Sequence, residues 1–174
     1  MRGRRWVRHG EGSIEGEAMI KAIETEYKGY RFRSRLEARW AIYFDTCGIE
    51  WEYEKEGYDL GDAGYYLPDF WLPQVEMWAE VKGRSFTTDE ENKCKVLASE
   101  SGNEVLMLEG LPDNRWYWAW TQQGYLDQYG VTDYHGYHIA EHRFYGGPGC
   151  DNPDDEGVLT ENAKNGIAAA RSAR

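Results

Sequence analysis

The chain has no apolar run approaching the roughly 20 residues that a membrane-crossing helix needs. Nor does it open like an export signal, because acidic and glycine-bearing residues follow the basic start Met1–Trp6 where an apolar stretch would stand. Cysteine is scarce: Cys47, Cys94 and Cys150 are odd in number and far apart, which argues against a disulfide framework. Positive charge is short as well, with 20 Lys and Arg against 31 Asp and Glu, a net charge of −11. That balance argues against coating nucleic acid through bulk electrostatics. No internal repeat is visible, and no recognition helix or specificity domain stands out. A cytoplasmic protein is expected.

What is present is ordinary globular composition, 41% hydrophobic and 29% charged, which excludes a wholly disordered chain. A length of 174 residues suits one domain with appendages and buries a proper core. The charge is unevenly spread. Residues 1–44 hold ten basic and six acidic residues, a balance of +4, whereas residues 45–174 hold ten and twenty-five, a balance of −15. A concentrated basic strip can grip a phosphate backbone locally, and divalent cations can neutralise an acidic cleft.

The pattern along the chain divides it into four stretches. Residues 1–26 read as a charged arm with a short helix around Glu17–Ile23, and 27–112 as the core domain. Residues 113–145 read as an aromatic-rich extension packed on that core, and 146–174 as a glycine-rich linker with a weakly specified terminal helix. Within the core, Tyr27–Phe32 is an extended lead-in. Leu36, Trp40, Tyr43, Phe44 and Cys47 recur at helical spacing after Ser34, and Gly48 stops that helix. Strands are expected at Ile49–Glu54, Tyr65–Leu72 and Met77–Lys82, the last two joined by a turn at Pro73–Glu76. Thr88 and Glu91 have capping-box spacing at the start of a second helix ending near Gly102. Glu104–Leu108 is a compact apolar strand. The order is α-β-β-β-α-β, an α/β fold with a mixed central sheet. Trp116–Trp120 and Gly136–Tyr145 read as strands of the extension, and the eight tryptophans as core and platform residues.

The chemistry concentrates in Pro68-Asp69 and Glu80-Val81-Lys82. Residues i and i+2 of a strand share a face, so Glu80 and Lys82 project together, and the short turn brings Asp69 alongside. Two carboxylates and a lysine are an uneconomical way to build a core. They suit a hard cation, Mg²⁺ or Mn²⁺, with carboxylate oxygens as ligands. An ammonium beside that site can orient water or stabilise charge developing on phosphate. The plainer reading is a turn-adjacent aspartate beside a charge pair on a solvated sheet face, with Ala79 and Val81 buried behind it.

These residues, inside that element order, resemble the PD-(D/E)xK nuclease superfamily, which includes restriction endonucleases, Holliday-junction resolvases and phage exonucleases. The wording Tyr27–Ala41, Tyr66–Pro73 and Ala79–Gly83 is similar to small phage-encoded members, and the resemblance covers residues 27–110. It implies a restriction-endonuclease-like core. It also implies Asp69, Glu80 and the Val81 carbonyl as metal ligands, and Lys82 as the catalytic lysine. The family pattern places an acidic residue in the first helix, and Glu37 is the candidate; a capping box from Ser34 competes for the same side chain, and the two are not exclusive.

Lys28, Arg31, Arg33, Arg35 and Arg39, interleaved with Tyr27, Tyr30, Phe32 and Trp40, form a basic strip suited to phosphate and stacked bases. Their alternative is a solvated face paired with the acidic body. Arg84, Lys93 and Lys95 are weaker phosphate candidates, as are the arm's Arg2, Arg4, Arg5 and Arg8. His135, His138, His142 and Cys150 make a poor zinc site, since His138 and His142 on a strand would stand roughly 13 Å apart.

The expectation is a divalent-metal-dependent nuclease acting on DNA by structure rather than sequence, in a bacterial or phage-infected cell. The resemblance implies 5′-phosphate and 3′-hydroxyl products and a homodimer as an expected assembly. The competing expectation is a catalytically silent protein on the same fold that binds nucleic acid or blocks a protein partner.

Overall fold

A computed structural model describes residues 24–113, 116–124, 126–130, 137–138, 143–144 and 161–173. The helix expected at Glu17–Ile23, the arm's arginines, His135, His142, Cys150 and the glycine-rich linker lie outside the described residues.

Thr25–Tyr27 (β1) and Tyr30–Phe32 (β2) pair antiparallel around Lys28-Gly29, both at positive φ, as a two-residue hairpin turn requires. Ser34 then caps helix α1, Arg35–Cys47, by accepting the Glu37 N–H, and Gly48 ends it in the left-handed conformation that glycine adopts without strain. Glu52–Tyr53 (β3) follows. Tyr58–Asp59 (β4) and Tyr65–Tyr66 (β5) then make a separate small hairpin around a 3₁₀ turn at Gly61–Ala63. Phe70–Leu72 (β6) and Met77–Lys82 (β7) come next, joined through Pro73–Glu76. After them come helix α2, Thr88–Ser101, strand β8, Glu104–Glu109, and β9, Trp116–Trp120. Leu126–Gly130 (β10), Tyr137–His138 (β11), Arg143–Phe144 (β12) and helix α3, Glu161–Ser172, complete the order.

Six strands form one sheet in the order β10-β9-β8-β7-β6-β3, antiparallel except for β7 and β8, which run parallel with α2 as their crossover. The fold is therefore α/β with a mixed central sheet. The extension's β9 and β10 continue that sheet at its β8 edge.

Alternation along the strands sorts the core into two layers. Phe70, Leu72, Ala79, Val81, Leu106 and Leu108 face α1, where Trp40, Tyr43 and Phe44 are fully buried. Trp78, Val105 and Met107 face α2, meeting Cys94, Leu97 and Ala98. Trp71 and Trp78, directly opposite across β6 and β7, meet with ring centroids 4.6 Å apart and planes tilted by 49°. Helix α3 lays Ala163, Gly166 and Ala170 against α1, so close that a Cβ on Gly166 would stand 2.6 Å from Cys47 Sγ. The terminal helix is part of the core.

Boundaries differ from expectation at three places, the first being the strand read as Ile49–Glu54, which is confined to Glu52–Tyr53. The strand read as Tyr65–Leu72 is split, because Pro68 has no N–H to donate to a ladder; Asp69 sits just before β6, not within a strand. The capping box belongs to Thr87 and Glu90, one residue earlier than the Thr88–Glu91 pair of identical spacing. Thr87→Ala should destabilise the protein by about 1 kcal/mol in urea unfolding, and an unchanged midpoint would show that the box contributes nothing. Among the described residues no helix is long and apolar enough to cross a membrane.

Candidate active site

The β6–β7 register sets the site. Phe70 opposes Ala79, so one step further Asp69 faces Glu80, both on the α2 side of the sheet. Beyond Phe70 the ladder stops at Pro68-Asp69, and the Val81 N–H that would continue it donates to Asp69 Oδ2 at 2.8 Å. Asp69 is 3% exposed and Glu80 4% exposed. The plainer reading of a solvated charge pair therefore fails: two carboxylates stand buried side by side, Glu80 on β7 and Asp69 just before β6. Their place at the carboxyl end of β7, one of the two parallel strands, is where open α/β sheets present ligand sites.

Each carboxylate has a cation. Lys82 Nζ donates to Glu80 Oε1 at 2.5 Å, while Glu80 Oε2 is buried with no close hydrogen bond among the described residues and with the Tyr66 hydroxyl near the carboxylate. Arg33 Nη2 donates to Asp69 Oδ1 at 2.9 Å, and its Nε forms an ion pair with Glu54 Oε1 at 2.6 Å. Glu54 reaches this position through a left-handed backbone (φ 46°), uncommon for a residue with a side chain, while its N–H holds the Asp69 carbonyl.

Glu37, 7% exposed, accepts from Ser34 Oγ at 2.6 Å, from Tyr53 Oη at 2.5 Å and from the Arg33 N–H at 3.2 Å. The full capping box from Ser34 does not form, because Glu37 accepts from the Ser34 hydroxyl and the Arg33 N–H and not from the Ser34 N–H. Glu37 closes back on the helix start, and its charge is felt at Asp69.

Burial pushes the Asp69 carboxyl well above its ordinary value, and the charges of Glu80 and Glu37 push the same way against the Val81 N–H and Lys82. For Lys82, burial favours the neutral amine, but Glu80 and Asp69 outweigh it and hold the ammonium above its usual value. The sign of the resulting pH dependence follows from proton uptake. A carboxyl with a raised folded pKa binds more protons folded than unfolded, so its contribution to stability falls as pH rises from the ordinary value of 3.8 through the raised one. Wild type should therefore lose stability relative to Asp69→Asn over that rise. Melting curves of both proteins across pH check this, and a wild type that gains on the variant instead would contradict it.

A cleft of about 410 Å³ opens over Glu80, Lys82 and Arg33, walled by Tyr65, Glu90 and Lys93. Tyr65 is 68% exposed at its rim. The Tyr66 hydroxyl lies behind it against Cys94 Sγ at 3.5 Å. Burial pushes the Cys94 thiol up to about 12, which leaves it unreactive.

The structure brings Asp69, Glu80, Val81, Lys82 and Arg33 together, with Lys93 on the cleft wall and Glu37 behind. It disperses the rest of the expected basic strip. Lys28 pairs with Asp45 at 2.9 Å, Arg31 with Glu24 at 2.5 Å, and Arg39 holds the Ala173 carbonyl at 2.9 Å. Arg84 clasps Glu90 through both terminal nitrogens, which lowers that carboxyl to about 2. Among the described residues Arg35 has no such partner. Lys95 lies over the Trp120 ring at 5.1 Å. Sequence reading missed Glu54, Tyr53 and Tyr66; only the strand-end position of Tyr53-Glu54 beside the basic strip hinted at the first two.

Asp69 and Glu80 suit a hard divalent cation chemically, being buried oxygen donors, one with an unused oxygen. Among the described residues no three His, Cys, Asp or Glu side chains form a metal-holding group. Scans against protein-family models, curated proteins and solved structures each return no match to this chain.

Proposed function

We propose that this protein is a divalent-cation-dependent nuclease of the PD-(D/E)xK type, hydrolysing phosphodiester bonds in DNA by structure rather than sequence. The observation that carries this is the buried Asp69–Glu80 pair, of which Glu80, bonded by Lys82, lines an open cleft while Arg33 lies between that cleft and Asp69. Burying two carboxylates face to face costs stability, which a purely structural role does not explain. The element order supports the reading: α1, an antiparallel β3-β6-β7 meander, then α2 leading to β8 parallel with β7, as a restriction-endonuclease-like core would have.

Asp69 and Glu80 would hold Mg²⁺ or Mn²⁺, with the Val81 carbonyl as the family's third donor. When bound, the cation supplies Lewis-acid polarisation of the phosphate and a more acidic water. Lys82 stands beside Glu80 to align the attacking water and to stabilise charge on the phosphoryl oxygens. Val81 fixes the Asp69 carboxylate through its N–H, and Glu37 with Tyr53 fixes the start of α1 behind it. Lys93 and the exposed Tyr65 offer a phosphate contact and a stacking face at the rim.

The alternative is a nuclease-fold protein that only binds nucleic acid or blocks a protein partner, and one observation favours its second form. Lys28, Arg31, Arg39 and Arg84 are occupied by the chain's own acceptors and do not form a free strip. A labelled panel of branched, flapped, linear duplex and single-stranded DNA, with RNA counterparts, incubated with Mg²⁺, Mn²⁺ or EDTA, separates the two. Metal-dependent cutting supports the nuclease. Binding without cutting under any metal would replace it with the alternative.

A further inference from the structure

Arg33 stands apart from the rest of the basic strip because it is seated on the proposed metal site itself. Its side chain is 56% exposed, yet its tip reaches Asp69, whose side chain is 4% exposed. The fork spans two neighbouring carboxylates, Nη2 on Asp69 and Nε on Glu54. Both Asp69 oxygens are thereby engaged, one by Arg33 and one by the Val81 N–H, whereas Glu80 keeps a free oxygen. A cation arriving at the pair meets a buried but unengaged oxygen on β7 and a covered carboxylate beside β6.

Charge makes the cover consequential. Counted as ionised, the paired groups Asp69, Glu80 and Glu54 contribute −3 and Arg33 with Lys82 +2, which leaves −1 among them, with the Glu37 charge behind them. Such a site attracts a divalent cation weakly while Arg33 stays in place, and more strongly once it leaves. The guanidinium can leave without opening the core, because its stem is exposed and Glu54 can hold Nε as a pivot. It borders the same cleft as Lys82 and Lys93, and a guanidinium fork matches phosphate oxygens as well as it matches a carboxylate.

We propose that Arg33 is a displaceable counter-cation of Asp69, weakening divalent-cation binding in the free protein and transferring to substrate phosphate when cation and nucleic acid bind together. This rests on the nuclease reading of the site and adds a coupling between its two ligands, in which each favours the other through Arg33.

The test is Mn²⁺ titration by calorimetry, with and without thymidine 5′-monophosphate, which has no phosphodiester to cleave. Wild type, Arg33→Gln, Arg33→Lys and Asp69→Asn are compared. Arg33→Gln should bind Mn²⁺ about tenfold tighter than wild type in the absence of nucleotide, as one opposing charge contact is removed. The nucleotide should tighten Mn²⁺ binding in wild type and leave it unchanged in Arg33→Gln. Arg33→Lys, which keeps the charge and loses the fork, should fall between the two. Matching melting temperatures establish that the variants are folded. Unchanged or weaker Mn²⁺ binding by Arg33→Gln, with Asp69→Asn impaired, would overturn the role of Arg33 and spare the metal site. Equal binding by wild type and Asp69→Asn, or none by either, would overturn both.

Discussion

Lys82→Ala should slow phosphodiester cleavage about a thousandfold, the scale of losing one preorganised charge donor at a developing oxyanion. Affinity for Mn²⁺ should hold or tighten, because Lys82 competes for Glu80 Oε1 at 2.5 Å. The split distinguishes a catalytic ammonium from a structural one. A structural lysine would lower stability and cation binding along with rate. Lys82→Met, which keeps the stem's packing against the sheet, should show the same rate loss with less change in melting temperature. Single-turnover rates and calorimetry on one preparation read both quantities. Cleavage within a few-fold of wild type would remove Lys82 from the chemistry.

The largest stability effect is expected far from the cleft. Gly166→Leu should cost at least about 3 kcal/mol, because overpacking at a fixed helix contact forces the elements apart. The clash begins at the Cβ, 2.6 Å from Cys47 Sγ and 2.9 Å from Tyr43 Cδ2, both on a buried face of α1. If α3 lifts off instead, Cys47 loses its cover. Thiol labelling in a Cys150→Ser background should then accelerate at Cys47 while the rest of the fold persists. An unchanged melting temperature and a protected Cys47 would mean that α3 does not pack as described.

That contact also explains what the sequence concealed. Helix α3 buries Ala163, Gly166 and Ala170, residues too small to give an apolar periodicity, so only the structure reveals its docking on α1. By contrast α1 was legible throughout: Ser34, Gly48 and a stripe of large aromatics each mark the helix through a different physical signal. The second helix was legible except in phase. Thr87 with Glu90 and Thr88 with Glu91 offer the same box, and spacing alone cannot choose between them.

At the site, strand alternation was enough to place Glu80 beside Lys82, and the short turn enough to bring Asp69 opposite. The burial of the pair was not legible, because it depends on α2 covering the far face of the sheet. Nor was the fate of the arginines. Five basic residues in one strip read as one surface, but local acceptors such as Asp45, Glu24 and the Ala173 carbonyl each take one, and Arg33 turns inward to Asp69.

The central claim, that Glu80 and its partners hold a cation for phosphodiester hydrolysis, is tested most directly by one comparison. Wild type and Glu80→Gln are assayed side by side on the preferred DNA substrate across a Mn²⁺ titration, with EDTA as the blank. Wild type should cleave in a Mn²⁺-dependent manner and the equally folded variant not at all, at any Mn²⁺ concentration that saturates wild type. Equal cleavage by both proteins, or cleavage that survives EDTA, would contradict it.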